Sequence, residues 1–370
     1  MKKNLIFALS FTLLAACSSG NKVDNTEVVD LKIEMDDVFC DKLLPYTGGN
    51  VTGADGSISI DLKDGRSMFM WGDSFFGDVI EDVRQEPIAF MMGNVFTVID
   101  DNYNIKNYYK GTPQEPRSYI EPSSDGNVAQ WYWPGHGFVR DGILYLFMSQ
   151  FHKEGEGSFA FEYEQCDYFT LNSKTLEVLT KNNFPAANIN GVHYGHAELD
   201  EGDYIYIYGT LSDNKAMTAD VHVARATLDN KELQNFEYWD GQGWNVDPAK
   251  TARLEGTNHP VAEQFNVVKL KNKYVLVAQD RYTMPDIYSY ASDSPTGPFT
   301  NEKLILTVNE PNYEVDQMMT YNTMVHPQYI KDDKVLMCYN VNTHDLEKVF
   351  TKASLYRPRF FWVPIELLVK

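Results

Sequence analysis

The sequence predicts an all-β protein built as a single five-bladed β-propeller, and three observations carry that expectation. A hairpin unit recurs five times, no long stretch of 3.6-residue periodicity interrupts the units, and the chain carries 23 Tyr, 21 Phe and 6 Trp. Repeated short strands with tight turns are the sequence form of propeller blades, and aromatic side chains suit strands that pack sheet against sheet. A β-sandwich would not need five copies of one unit.

The first element precedes the fold. "MKK", a short apolar run and "LAAC" have the shape of a secretory signal over residues 1–16, too short to cross a membrane. Leu14-Ala15-Ala16-Cys17 resembles the bacterial lipobox, which implies cleavage before Cys17 and a lipid on its thiol. Residues 17–35 are polar and read as a tether, leaving 36–370 as the globular domain. The expectation is a lipid-anchored protein outside the cytoplasm, at the outer membrane, touching the membrane through its anchor only.

Charge narrows the partners. Removal of Lys2 and Lys3 with the leader takes the formal net charge from −20 to −22. That excludes nucleic acid as a natural partner, since phosphate binding needs Lys and Arg. Cys40, Cys166 and Cys338 are scattered, with neither a disulfide framework nor metal-ligand spacing. A monomer is expected.

The five units are "TGADGSISIDLKDGRSMFMWGDS", "WYWPGHGFVRDGILYLFMSQF", "NGVHYGHAELDEGDYIYIYGT", "NHPVAEQFNVVKLKNKYVLVAQDR" and "YNTMVHPQYIKDDKVLMCYN", with turns near residues 64, 141, 202, 272 and 333. A further strand-like segment follows each: "NVFTVID", "CDYFTLN", "VHVARATL", "IYSYASD" and "ASLYRPRFFWV". In the first unit, Ile58, Ile60 and Leu62 alternate with polar residues at the two-residue period of a strand. A turn centred on Asp64 sets Asp55 opposite Asp73. A two-residue Asp64-Gly65 loop shifts the register by one and leaves them diagonal. Either way the carboxylates lie within roughly 5–8 Å.

The first strand of each blade lines a propeller's channel, so the lead-ins of the five units are expected to converge. They carry Asp55; His136; His193, His196 and Glu198; His259 and Glu263; and Tyr321, Asn322 and His326. Five of the eight histidines lie there.

At this point the residues carry a family likeness. "TGADGS", "DGRSMFMWGDSFFG", "WYWPGHGFVRDGILYLF" and "ASDSPTGPF" resemble five-bladed propeller glycosidases, nearest the endo-D-arabinanase-like group and more distantly the arabinanase/furanosidase clan. The resemblance covers most of residues 45–365 and implies Asp55 and Asp73 as catalytic carboxylates. His136 and His193 depart from it, standing where acids or neutral polar groups are expected.

Three functions follow. In glycoside hydrolysis one carboxyl protonates the leaving oxygen and another serves as base or nucleophile; Asp55 and Asp73 lead, with Glu263 or Glu198 as a partner across the channel. In elimination from a uronic acid, a neutral His or Tyr removes the proton beside the carboxylate and a cation neutralises it; His136, His193, His196, Tyr194, His259, His326, Tyr321 and Arg281 offer those roles. In the third, a binding protein stacks Trp71, Phe76, Trp131, Tyr132 or Trp133 on sugar rings. Hydrolysis of polysaccharide-derived oligosaccharides is the leading expectation. The catalytic candidates are Asp55, Asp73, Glu263, His136 and His193; substrate binding falls to His196, Glu198, His259, Arg281, Tyr321, Asn322, His326 and Trp133. No cofactor is expected and no metal ligands are assigned. His193 and His196, with His136 or His259, are the histidines placed to bind a divalent ion across units; a Ca2+ or other ion in the channel is the separate alternative.

Overall fold

A computed structural model describes residues 32–370 apart from 123–129, 157–159, 187–188, 214–217, 258 and 282. The leader, Cys17 and the tether up to residue 31 lie outside the described residues. Among the described residues no helix is long and apolar enough to cross a membrane.

The chain is nearly all β, and five antiparallel sheets dominate it. The first contains Ile58–Asp61, Arg66–Trp71, Val95–Asp100 and Ile105–Tyr108. The second holds Gln130–Arg140, Ile143–Lys153, Phe161–Asn172 and Val178–Asn183. The third runs His193–Asp200, Ile205–Asp213, Thr218–Asp229 and Glu232–Trp239, with Trp244–Asn245 at its edge. The fourth is Asn266–Leu270, Lys273–Gln279, Asp286–Ser292 and Thr300–Thr307. In the fifth, Met318–Lys331, Lys334–Thr343 and Arg359–Pro364 are joined by Glu34–Asp36 from the other end of the chain. All five anticipated turns fall between the first two strands of a sheet. The first strands pack against one another in order, and the fifth touches the first.

Two boundaries differ from expectation. Glu34 and Met35 are not tether: they pair with Trp362 and Phe361, because the fifth sheet takes its outermost strand from this end of the chain. The first hairpin does not close through two residues. Asp61 pairs with Ser67, and Leu62 donates its N–H to the Arg66 carbonyl at 2.9 Å. Lys63 at φ 61° and Gly65 at φ 85° turn the longer loop. The observed register is therefore the one centred on Asp64.

The second strands are apolar without alternation. Met68, Phe69, Met70 and Trp71 are all 0% exposed, since a neighbouring sheet covers each face; each such side chain contributes about 1.5–3 kcal/mol of burial. Two of the polar groups that enter this core are well paired. The Trp71 indole donates to Thr97 Oγ1 at 2.8 Å. Arg357, 2% exposed, donates to the carbonyls of Leu44 and Thr52 and to Asp41. It ties the N-terminal segment to the last sheet. Cys40, Cys166 and Cys338 are buried free thiols.

Candidate functional site

The first hairpin does not stop where its sheet stops. Gly56 (φ 89°) and Ser57 (φ 55°) break one strand, and Gly72 breaks its partner. Beyond the break the same two segments pair again as Val51–Ala54 with Ser74–Phe76, extended by Ala89–Met91. Asp55 and Asp73 sit at this joint. The Asp55 N–H approaches the Asp73 carbonyl at 3.4 Å, and Gly72 donates to the Asp55 carbonyl at 2.9 Å. A Cβ at position 72 would come within 2.5 Å of Asp55 Oδ1, so only glycine leaves room for the carboxylate.

Each carboxylate has its own donors. Tyr321 and Tyr356 both donate to Asp55 Oδ2 at 2.9 Å. Trp133 Nε1 and the Gly93 N–H donate to Asp73 Oδ1 at 2.7 and 3.1 Å. Burial raises the affinity of both groups for a proton. For Asp55 the tyrosine donors offset part of that rise. For Asp73, burial and then the Asp55 charge carry it up to about 7. The Asp55 charge thus opposes ionisation of Asp73.

These groups form one wall of a cavity of about 590 Å³, within the range of small-ligand sites. Phe75, Phe90, Phe151, Phe161 and Phe350 supply apolar surface, and His193, His196 and Glu263 line it as well. His193 and His196 are three residues apart and would face opposite ways on a regular strand. The register shifts between Tyr194 and Ala197, with Gly195 at φ 98°, and this bulge turns both rings to the cavity. Their centroids are 4.3 Å apart. His193 Nε2 lies 2.6 Å from Ser149 Oγ, and its Nδ1 lies 3.0 Å from Glu263 Oε1. Burial, then the neighbouring His193, holds His196 well below the usual histidine range, so its ring is neutral.

Of the sequence candidates, Asp55, Asp73, Trp133, His193, His196, Glu263, Tyr321 and Asn322 line the cavity. The others do not. His136 packs 3.2 Å from Glu198, whose side chain is 0% exposed; neither is among the residues that line the cavity. His326, also 0% exposed, bonds Ser59 Oγ and Cys338 Sγ and is a structural histidine. His259 stacks on Tyr288 at 4.2 Å and pairs with Glu302 at 2.7 Å. Arg281 pairs with Asp280 outside the cavity. Both precede or follow strands of the fourth sheet in irregular chain, where a strand's phase says nothing about direction.

Sequence reasoning missed Tyr356, which reaches Asp55 from the 3-10 turn Ala353–Tyr356. It missed Tyr163 too, whose ring lies 3.9 Å from that of His193. Neither sits in a lead-in, so no strand phase pointed to them.

The fold and its cavity thus define an all-β protein with a paired-carboxylate cleft. Residues 40–364 match the family model described as a domain of unknown function (DUF5005), and the chain belongs to that family. Among solved structures it is similar to a Bacteroides ovatus ATCC 8483 protein described provisionally as a hydrolase, with 19% identity, 92% of each chain covered and a TM-score of 0.73. It is also similar to a GH43_1 enzyme of Xanthomonas citri complexed with xylotriose, at 14% identity over 87% of this chain and 92% of that one, with a TM-score of 0.47. Arabinanase Arb43A of Bacillus subtilis gives 10% identity, 84% and 96% coverage, and a TM-score of 0.42. At these identities the likeness is one of fold. Comparison with curated proteins finds no match.

Proposed function

We propose that this chain is a glycoside hydrolase acting on polysaccharide-derived oligosaccharides, with its five sheets as the blades of a five-bladed propeller. The observation that carries the reading is the half-buried Asp55–Asp73 pair on the cavity wall, in which the Asp55 charge adds to burial in raising the proton affinity of Asp73. Glycosidic cleavage needs one carboxyl that arrives protonated and one that arrives ionised. Asp55, with two tyrosine donors on Oδ2, is the carboxylate that stays charged and acts as base or nucleophile. Asp73 carries the proton and gives it to the leaving oxygen. Glu263, His193 and His196 line the same cavity and take part in holding the sugar, and the phenylalanine surface packs against ring faces. The fold likeness to the provisionally assigned Bacteroides ovatus hydrolase agrees with this reading. Export and a lipid on Cys17 are part of the proposal and rest on Leu14-Ala15-Ala16-Cys17 alone.

Elimination on a uronate is the second reading, favoured by the neutral His196 ring on the wall and by the Tyr163 hydroxyl, which is buried without a partner among the described residues.

The test is to incubate the tether-free domain with furanose-rich and uronate-rich oligosaccharides, following reducing ends and the ultraviolet absorbance of an unsaturated uronate together. New reducing ends without absorbance are expected. Rising absorbance would establish elimination, and silence in both would leave a binding protein.

A further inference from the structure

His193, His196 and Glu263, on the wall of the same cavity, offer more than hydrogen-bonding groups. One ring nitrogen each of His193 and His196 and one oxygen of Glu263 all lie within 4.8 Å of one another. His193 Nδ1 and Glu263 Oε1 are 3.0 Å apart, at the short end of the roughly 3.0–3.4 Å expected of two ligands that share a metal at about 2.1 Å. A separate observation points to a ligand. His196 is 4% exposed, yet its Nε2 is buried with no hydrogen-bond partner among the described residues. An imidazole nitrogen left without a partner beside a cavity is costly unless something binds it. The strand bulge at Gly195 exists to point both rings the same way, and Ser149 Oγ on His193 Nε2 fixes that ring, as outer partners of metal-bound histidines do.

We propose that His193, His196 and Glu263 bind one first-row divalent metal ion. Two imidazoles and one carboxylate suit Zn2+ and its neighbours; Ca2+ and Mg2+ prefer all-oxygen sites. Three protein ligands leave a coordination position open, as in catalytic rather than structural zinc sites. Because all three residues line the cavity, that position faces the space where the hydrolase reading places the sugar. A pair of sugar hydroxyls or a uronate carboxylate is the ligand it would take. Lys153 is the one Lys or Arg among the described cavity-lining residues, so a metal would supply most of the positive charge there. Metal binding itself does not depend on the hydrolase reading.

The experiment uses the chelator-stripped domain, titrated with Zn2+ by calorimetry and with Co2+ by visible absorption. One equivalent is expected, with Co2+ bands of a low-symmetry site and a rise in Tm with excess Zn2+. His196→Ala should weaken Zn2+ by more than the roughly 10–100-fold that loss of an outer-shell partner costs. Glu263→Gln, at a half-exposed position, should do the same and carries the test if His196→Ala does not fold. Asp73→Asn should bind Zn2+ as the parent does, which separates this site from the carboxylate pair. Binding of less than one equivalent, or equal affinity in parent, His196→Ala and Glu263→Gln, would overturn the proposal.

Discussion

His326 and His196 both lie in first strands and both are withdrawn from solvent, at 0% and 4% exposure. At His326 the ring is packed between Phe69 and Phe360, with Ser59 Oγ on Nδ1 at 2.7 Å and Cys338 Sγ on Nε2 at 3.2 Å. Burial holds it at about 3, so it stays neutral and completes a polar network inside the core. At His196 the burial is similar, but Nε2 has no partner and the residue looks into the cavity. Burial alone does not separate a structural histidine from a functional one. The difference lies in whether the protein satisfies the side chain by itself.

The same contrast predicts where substitutions cost activity and where they cost stability. The largest effect is expected at the carboxylates: Asp55→Asn should lower kcat/KM by about 10³-fold while circular dichroism stays that of the parent and Tm is equal to it or higher. Deeper in the fold, His326→Leu should do the reverse. It leaves Cys338 and part of the Ser59 bonding unanswered, so chemical denaturation should show a loss of about 1–3 kcal/mol, with kcat/KM within about threefold. A large activity loss with unchanged stability there would break the comparison. Tyr356→Phe sits between the two. Removing a donor from the charged form of Asp55 raises its affinity for protons, so the acid limb of the pH–rate profile should move to higher pH, with a severalfold loss on that limb. His196→Leu should change stability least, within about 1 kcal/mol of the parent or upward, because it removes an unpartnered buried nitrogen.

Much of this was legible in the sequence, and for physical reasons. A hairpin's turn and alternation fix which residues oppose one another, and that alone pairs Asp55 with Asp73 across eighteen positions of sequence. Regular strands also gave the five turns and the third strand of every sheet. What failed was wherever regularity stops. Bulges at Pro134–Gly137, Tyr194–Ala197 and Tyr321–Met324 reset the side-chain phase in three of the first strands, so His136 and Glu198 could not be told from cavity residues. Gly195 was the available signal: a Cβ there would meet Phe147 Cβ at 2.9 Å. His259 and Arg281 lie in irregular chain around the fourth sheet. The strand Glu34–Asp36 is three residues long and borrows its place from a partner more than three hundred residues away, which no local pattern encodes.

The measurement that tests the account most directly is Asp73→Asn, followed for rate and stability on the same samples between pH 4 and 8. Asp73 in the fold takes up its proton at about 7 against an ordinary 3.8. The folded state therefore binds the proton more tightly than the unfolded chain, and that stabilisation is complete below about pH 4 and lost as pH rises through 7. For the parent the loss is about 2–4 kcal/mol across that window. Asparagine keeps an oxygen for Trp133 and Gly93 to bond but has no proton to lose. The account predicts a variant about 10³-fold slower whose Tm advantage over the parent grows as pH rises. A variant within tenfold of the parent rate, or one whose stability tracks the parent at every pH, would contradict it.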